Sequence, residues 1–293
     1  MTVSRVKLSM LRVRTMLPAD LPFADSLRAL VGWNQTLADW QRFLRMEPQG
    51  CFLAEWDGAP AGTATTVVYG PDLAWIGMVL VHPEYRRRGI GGSLLLTCIE
   101  HLQVLGVRCI KLDATPEGRP VYEKVGFRDE WTLRRWEADL PSPAPRAPDA
   151  RIRAWAEVGA PLLDLLDAQA FGVSRRELMI ALVGQSHSAL ACESRPGTPS
   201  GCGMLRQGAR ALYLGPISAT SAEAGIALIG ALTGQGRAGR VFWDIPDPNT
   251  AAVGWAERHG FNVQRVLTRM WLGDNRRPGN PQQQFALAGP EVG

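Results

Sequence analysis

The chain has 293 residues, a net charge of +4, 46% hydrophobic and 20% charged residues, and so enough length and apolar content for two domains that each bury a core. Its positive charge is almost all arginine, spread along the sequence with no basic run interleaved with aromatics, which argues against a nucleic-acid partner. No stretch is long and apolar enough to span a membrane, and the opening MTVSRVKLSMLRVRT lacks a signal-peptide core and cleavage site, so a cytoplasmic protein without membrane contact is expected.

In chain order, Ser9–Met16 alternates as a first strand. Asp20 can cap a helix with Phe23, Leu27 and Leu30 on one side, stopped by Gly32. After Trp33-Asn34-Gln35, Thr36-x-x-Asp39 has the form of a capping box opening a helix striped by Leu37, Trp40 and Leu44. Cys51–Trp56, the turn Asp57-Gly58 and Gly62–Tyr69 predict a hairpin. A strand over Leu73–Val81 follows, then His82-Pro83, three arginines (Arg86, Arg87, Arg88), Gly89-Ile90-Gly91-Gly92-Ser93, and an apolar helix to about residue 104. Val107–Leu112 is a short strand, Gly118–Val125 a short helix and Phe127–Trp136 a further strand. Prolines at 141, 143, 145 and 148 mark a semi-rigid linker over 139–150, between domains of 1–138 and 151–293. Beyond it, a helix starts at Pro161 and a second capping box is expected at Ser174-x-x-Glu177. Strands fall over Ala189–Glu193, Gly203–Leu205 and Ala211–Ala219, and a helix over 222–232. Val241–Ile245, a helix Asn249–His259 and the strand Val263–Leu272 complete the pattern. The five cysteines are odd in number and lack metal-ligand spacing; Cys98 and Cys109 read as buried thiols of a reducing compartment, and no metal is expected.

The order strand, glycine-rich turn, helix start in Val79–Ser93 predicts an anion site. Glycines turn several N–H groups towards one point, the helix start adds unpaired donors and a positive dipole end, and the arginines add full charges. The dinucleotide fingerprint is excluded because its third glycine and acidic residue are missing, and a P-loop because Gly-Lys-Ser/Thr is absent. Arg86-x-x-Gly89-x-Gly91 instead resembles the pyrophosphate loop of the GNAT superfamily of acetyl-CoA-dependent N-acetyltransferases, and Tyr122-Glu-Lys-Val-Gly126-Phe127 resembles a segment these enzymes carry after their fifth strand.

The resemblance implies an α/β (α+β) fold of two tandem GNAT-like domains, each a mixed, mostly antiparallel sheet flanked by helices. It implies acetyl-CoA as co-substrate, held by Arg86, Arg87, Arg88, Gly89, Ile90, Gly91, Gly92 and Ser93 and by the main chain of Met78, Val79, Leu80 and Val81. A backbone N–H in that strand would polarise the thioester. Tyr122 is the candidate acid for the departing thiolate, since a phenol of pKa ~10 can protonate a desolvated thiolate; a core tyrosine is the alternative. The fourth strand has no acid, so of Glu55, Asp72, Glu84, Asp113 and Glu117 the base is assigned to Asp113, at the end of the fifth strand, with a water relay as the other route. Trp33, Asn34, Gln35, Tyr69 and Trp75 are expected on the acceptor side, facing a small-molecule or peptide amine, although Trp33 and Trp75 would also suit a core.

The second half repeats the first in outline. With Val81 over Ile217, Arg86-x-x-Gly89 falls over Ala222-x-x-Gly225; with Gly126-Phe127 over Gly260-Phe261, Tyr122 falls over Ala256. The arginines and tyrosine are lost and Glu223 replaces Arg87, so this half is expected not to bind acetyl-CoA in the same way. It resembles the C-terminal domain of the YitH-like group. An active first half in a monomeric pseudo-dimer or a homodimer is expected; an acetyl-CoA sensor or scaffold, or an arrangement like mycothiol synthase with the second half active, are the alternatives.

Overall fold

The computed structural model describes residues 11–141, 149–235 and 238–293; the first residues of the strand expected from Ser9 and the centre of the proline-rich linker lie outside them. Two compact units are present, Met1–Val68 with Ile76–Gly106 and Tyr69–Trp75 with Val107–Gly293.

The first unit holds β1 (Leu11–Thr15), α1 (Leu21–Leu30), α2 (Leu37–Met46), β2 (Cys51–Trp56), β3 (Ala59–Val68), most of β4 (Ala74–Val81) and α3 (Ile90–Val104). β1 and β3 flank β2 antiparallel, and the β2–β3 hairpin turns on two left-handed residues, Asp57 and Gly58 (φ 50° and 83°), as a two-residue hairpin requires. The expected capping box forms, with the Thr36 N–H donating to Asp39 Oδ2 at 2.6 Å. The buried stripe of α2 differs from the expected one. Leu37 is 45% exposed, while Trp40 and Phe43 are fully buried, because two aromatic rings at i and i+3 fill the core by themselves. On α1, Leu30 is likewise 57% exposed and Leu21, Ala24 and Leu27 face inward. α3 lies close over β3 at Gly62, where a Cβ would stand 3.1 Å from Leu94 Cδ1. By strand alternation Thr63 points to the opposite face.

The second unit contains β5 (Cys109–Ala114), α4 (Arg119–Lys124), β6 (Arg128–Leu140), β7 (Ile152–Ala154), α5 (Trp155–Val158), α6 (Ala160–Phe171) and α7 (Arg176–Val183). It continues through β8 (Ser186–Arg195), β9 (Thr198–Arg206), β10 (Leu212–Ala219), α8 (Ala222–Gln235), β11 (Gly239–Pro246), α9 (Thr250–Arg258), β12 (Asn262–Gly273) and β13 (Gln284–Ala286). The first residues of β4, Ala74 and Trp75, pair parallel with β5, and the sheet then runs β5-β12-β6-β11-β10-β9-β8-β7. Among the described residues, β4–β5 and β10–β11 pair parallel, while β1–β2, β2–β3, β5–β12, β12–β6, β6–β11, β10–β9, β9–β8 and β8–β7 pair antiparallel, so the expected mixed, mostly antiparallel sheet is present.

The order of the middle strands is not readable from the sequence. β6, at the end of the first repeat, lies between β12 and β11 of the second, and β12 lies between β5 and β6. Leu133 stands directly opposite Leu267, its own counterpart in the repeat. Two related ion pairs result, and all four side chains are buried. Asp113 on β5 takes both hydrogen bonds of Arg269 on β12 (2.8 and 2.9 Å), and Asp244 on β11 takes both of Arg135 on β6 (2.8 and 2.5 Å). Each repeat thus lends an arginine to the other's aspartate.

The second expected capping box does not form. Ser174 Oγ donates to Asp164 Oδ1 at 2.8 Å, and α7 starts after Arg175, whose guanidinium is buried against Asp167 at 2.7 Å. A buried charge pair fixes the chain there more strongly than a local cap. β7, α5 and β13 are too short to show a period, and none was expected.

Candidate active site

The chain leaves β4 through a 3-10 turn over Pro83–Tyr85, reaches a left-handed Arg87 (φ 60°), and enters α3 through a left-handed Gly89 (φ 80°). Glycine is needed at 89 for that conformation. At Gly92 a Cβ would meet no atom within 4 Å, and at Gly91 only Val81 Cγ2, at 3.6 Å. The space beside these two glycines is therefore open, and bare backbone is accessible there from outside. The first turn of α3 supplies N–H donors without helical partners. Arg86, Arg87 and Arg88 are exposed around it. Their guanidinia are not equivalent: Arg86 Nε donates to the Val81 carbonyl at 3.3 Å, and Arg88 lies over the rings of Trp56 and Tyr85, 5.0 and 5.5 Å from their centroids. Cation–π contact holds Arg88 beside the loop with its charge available.

Within β4, Met78 is buried and left-handed (φ 51°), and its carbonyl accepts a hydrogen bond of 2.9 Å from the Thr63 hydroxyl. A left-handed residue inside a strand interrupts the ladder and re-aims its peptide groups. Val79 and Val81 are half-buried and Leu80 is buried. Thr63 carried no signal in a run of small and threonine residues; only the folded register brings it to Met78.

Trp33, Asn34 and Gln35 belong to the first unit. Asn34 and Gln35 are buried in spite of their polarity, and the Trp33 carbonyl accepts from Arg28 at 3.3 Å. Tyr69 and Trp75 lie in the second unit, both buried. Their polar tips bond the C-terminal segment: the Tyr69 hydroxyl donates to the Val292 carbonyl (2.8 Å) and Trp75 Nε1 to that of Pro290 (2.9 Å). Trp75 also carries the Arg269 guanidinium, 4.4 Å from its ring centroid, and Trp131 lies 4.2 Å from the same group. Burial pushes the Asp113 carboxyl above the ordinary carboxylate range, against the pull of Arg269. To act as a base, Asp113 would first have to give up Arg269. Neither Arg269 nor the C-terminal segment stood out in the sequence, because both act through contacts more than a hundred residues away. Tyr122, on α4, is half-buried rather than a core residue; it packs at 6.1 Å from Phe127 and beside Gly118.

The equivalent positions of the second repeat are closed by the protein itself. α8 begins at Ala222, so helix replaces the loop, and Glu223 at its start is paired with Arg151. β11 pairs with β10 only over Leu212–Leu214; beyond that, β13 takes its place, with Ile217 opposite Ala286 and Ser218 opposite Gln284. Phe285 lies where a Cβ on Gly225 would stand, 2.5 Å from the ring. Pro216, in the same strand, has no N–H to offer. Among the described residues no group of His, Cys, Asp and Glu is placed to hold a metal, and no helix is long and apolar enough to cross a membrane.

Residues 20–127 match the model of the acetyltransferase (GNAT) family and residues 164–286 that of an acetyltransferase (GNAT) domain. The chain is similar to the uncharacterized N-acetyltransferase YitH of Bacillus subtilis, 32% identical over 179 residues covering 61% of this chain and 62% of that one. It is 29% identical over 103 residues to holothin acyltransferase of a Pseudoalteromonas species, covering 35% of this chain and 34% of the other. The matches therefore span less than two thirds of these relatives' lengths. In fold it resembles a putative acetyltransferase from Pyrococcus horikoshii, with a TM-score of 0.81 over 97% of this chain and 96% of that one at 23% identity.

Proposed function

Because the chain belongs to the GNAT superfamily, carrying two of its domains in tandem, we propose that its first half moves an acetyl group from acetyl-CoA to a primary amine by direct attack in a ternary complex. The observation that carries this reading is the open glycine cradle at the start of α3, ringed by exposed arginines. A diphosphate fits such a cradle, which offers aligned N–H donors, a helix dipole and full positive charge with no side chain in the way. Arg86, Arg87 and Arg88 with the N–H groups of Gly89–Ser93 would hold it, and the main chain of Met78–Val81 would pair with the pantetheine amides. Acetyl-CoA supplies the activated acyl group.

Tyr122 would give its proton to the departing thiolate, a role suited to a partly exposed phenol beside Phe127. Deprotonation of the amine is assigned to Asp113 or to a water chain; the grip of Arg269 on both Asp113 oxygens favours the water route. Trp33, Asn34, Gln35, Tyr69 and Trp75 would border the acceptor, a small molecule or peptide. Five buried, unpaired thiols suit a reducing compartment and hence a cytoplasmic protein. A second reading, an acetyl-CoA sensor without efficient catalysis, is favoured by one observation: the fourth strand carries no acid and Asp113, the candidate on the fifth, is already engaged by Arg269.

Calorimetry of the full chain with CoA tests the first step, with neutral replacement of Arg86, Arg87 and Arg88 expected to weaken binding by about tenfold or more. Absence of binding, or indifference to the replacements, would remove the transferase reading. Release of CoA thiol across a panel of amines separates enzyme from sensor.

A further inference from the structure

The left-handed turn at Met78 needs something to hold it. A bulky L-residue at φ 51° is strained relative to extended backbone, and Met78 is buried, so no solvent compensates its carbonyl. The Thr63 hydroxyl, itself fully buried, donates to that carbonyl at 2.9 Å. That bond offsets the strain, and leaving the buried carbonyl unpaired would add the cost of an unsatisfied acceptor. The turn therefore depends on the tether. A trans peptide points its C=O and the following N–H in opposite directions. With the Met78 carbonyl drawn towards Thr63 on β3, the Val79 N–H points away from β3.

We propose that Thr63 is a positioning residue for acetyl transfer: by capturing the Met78 carbonyl it aims the Val79 N–H at the edge of β4 away from β3, where that N–H donates to the thioester oxygen. This rests on the transferase reading above. Thr63 touches neither substrate; it acts through one peptide plane. A donor fixed before charge develops on the oxygen needs no reorganisation during reaction, so loosening it lowers turnover more than it lowers cofactor binding.

The test compares acetyl-CoA with S-ethyl-CoA, a thioether of the same length that lacks the carbonyl, by calorimetry on the full chain. The wild type should bind acetyl-CoA about fivefold more tightly. Thr63→Val should bring that ratio close to one while leaving S-ethyl-CoA affinity unchanged, and Thr63→Ser should keep it. A ratio equal in wild type and Thr63→Val would overturn the tether and leave CoA binding intact. Equal weakening of both ligands in Thr63→Val would also overturn it by showing a merely structural role. A wild type that binds neither ligand refutes the transferase reading itself, and the tether's role falls with it.

Discussion

Replacing Arg269 with methionine would leave Asp113 alone in the interior. The guanidinium now gives that carboxylate two hydrogen bonds, of 2.8 and 2.9 Å, and lies between Trp75 and Trp131, 4.4 and 4.2 Å from the ring centroids. Both side chains are buried, so water cannot replace what is lost. Breaking one side of such a pair costs about 3–5 kcal/mol, and the lost ring contacts add ~1 kcal/mol. Against a total stability of about 5–15 kcal/mol, that is about a quarter or more of what holds the unit together. Asp113→Leu should cost a similar amount, because it strands the guanidinium. The double variant Asp113→Leu/Arg269→Met replaces both charges with apolar groups and should lie within about 1–2 kcal/mol of wild type. Urea unfolding of the full chain, followed by tryptophan fluorescence, completes the cycle. A coupling energy under ~1 kcal/mol would refute the reasoning, since it would mean that the pair is solvated or replaceable. Once the double variant is shown to be folded, its turnover reads the chemistry of the Asp113 carboxylate apart from its structural part.

Tyr122→Phe should lower kcat by about 10²-fold or more with the Kd for acetyl-CoA nearly unchanged; equal turnover at saturating substrate would take Tyr122 out of the mechanism. Calorimetric titration should reach one CoA per chain, because β13 and Phe285 fill the second repeat and Glu223 stands at its helix start; a stoichiometry of two would contradict that closure. Burial pushes Cys51 up to about 12 and Cys109 up to about 11. At pH 8 a thiol at 12 is thiolate in roughly one part in 10⁴, so a disulfide reagent should label the five cysteines only after unfolding, and fast native labelling would show an unexpected opening. The Arg14 guanidinium, at 2.7 Å, holds the Asp20 carboxyl below its ordinary range. The unfolded chain therefore binds the proton first as pH falls, and the stability from this pair, about 0.5 kcal/mol, is complete above pH ~4 and lost below it. Asp20→Asn should cost that amount at neutral pH and progressively less in acid, and a cost independent of pH would exclude the linkage.

The loop at the start of α3 was legible because its chemistry is local. Left-handed Gly89, side-chain-free Gly91 and Gly92, and three arginines sit within a few residues of one strand end and one helix start, and each residue type states its own physical purpose. The Thr36–Asp39 capping box and the hairpin at Asp57-Gly58 were legible for the same reason. Ser174 and Glu177 show the limit: the same local pattern was overridden by the buried Asp167–Arg175 pair. The buried faces of α1 and α2 slipped because apolar spacing counts residues, whereas packing weighs ring volume and shape.

Neighbouring residues alone specify the alternation of strands and helices, the twofold repeat, and the glycine- and arginine-rich loop of the first half with its loss from the second, since periodicity, backbone freedom and charge are local properties. Only the tertiary structure decided that β6 and β12 change places, that Asp113 is matched by Arg269 from the other repeat, that Thr63 reaches Met78, and that β13 closes the second repeat. Those contacts join residues 15 to more than 150 positions apart. Strand partners and buried charge pairs are chosen by which surfaces meet after the chain has folded, and no local pattern encodes that choice.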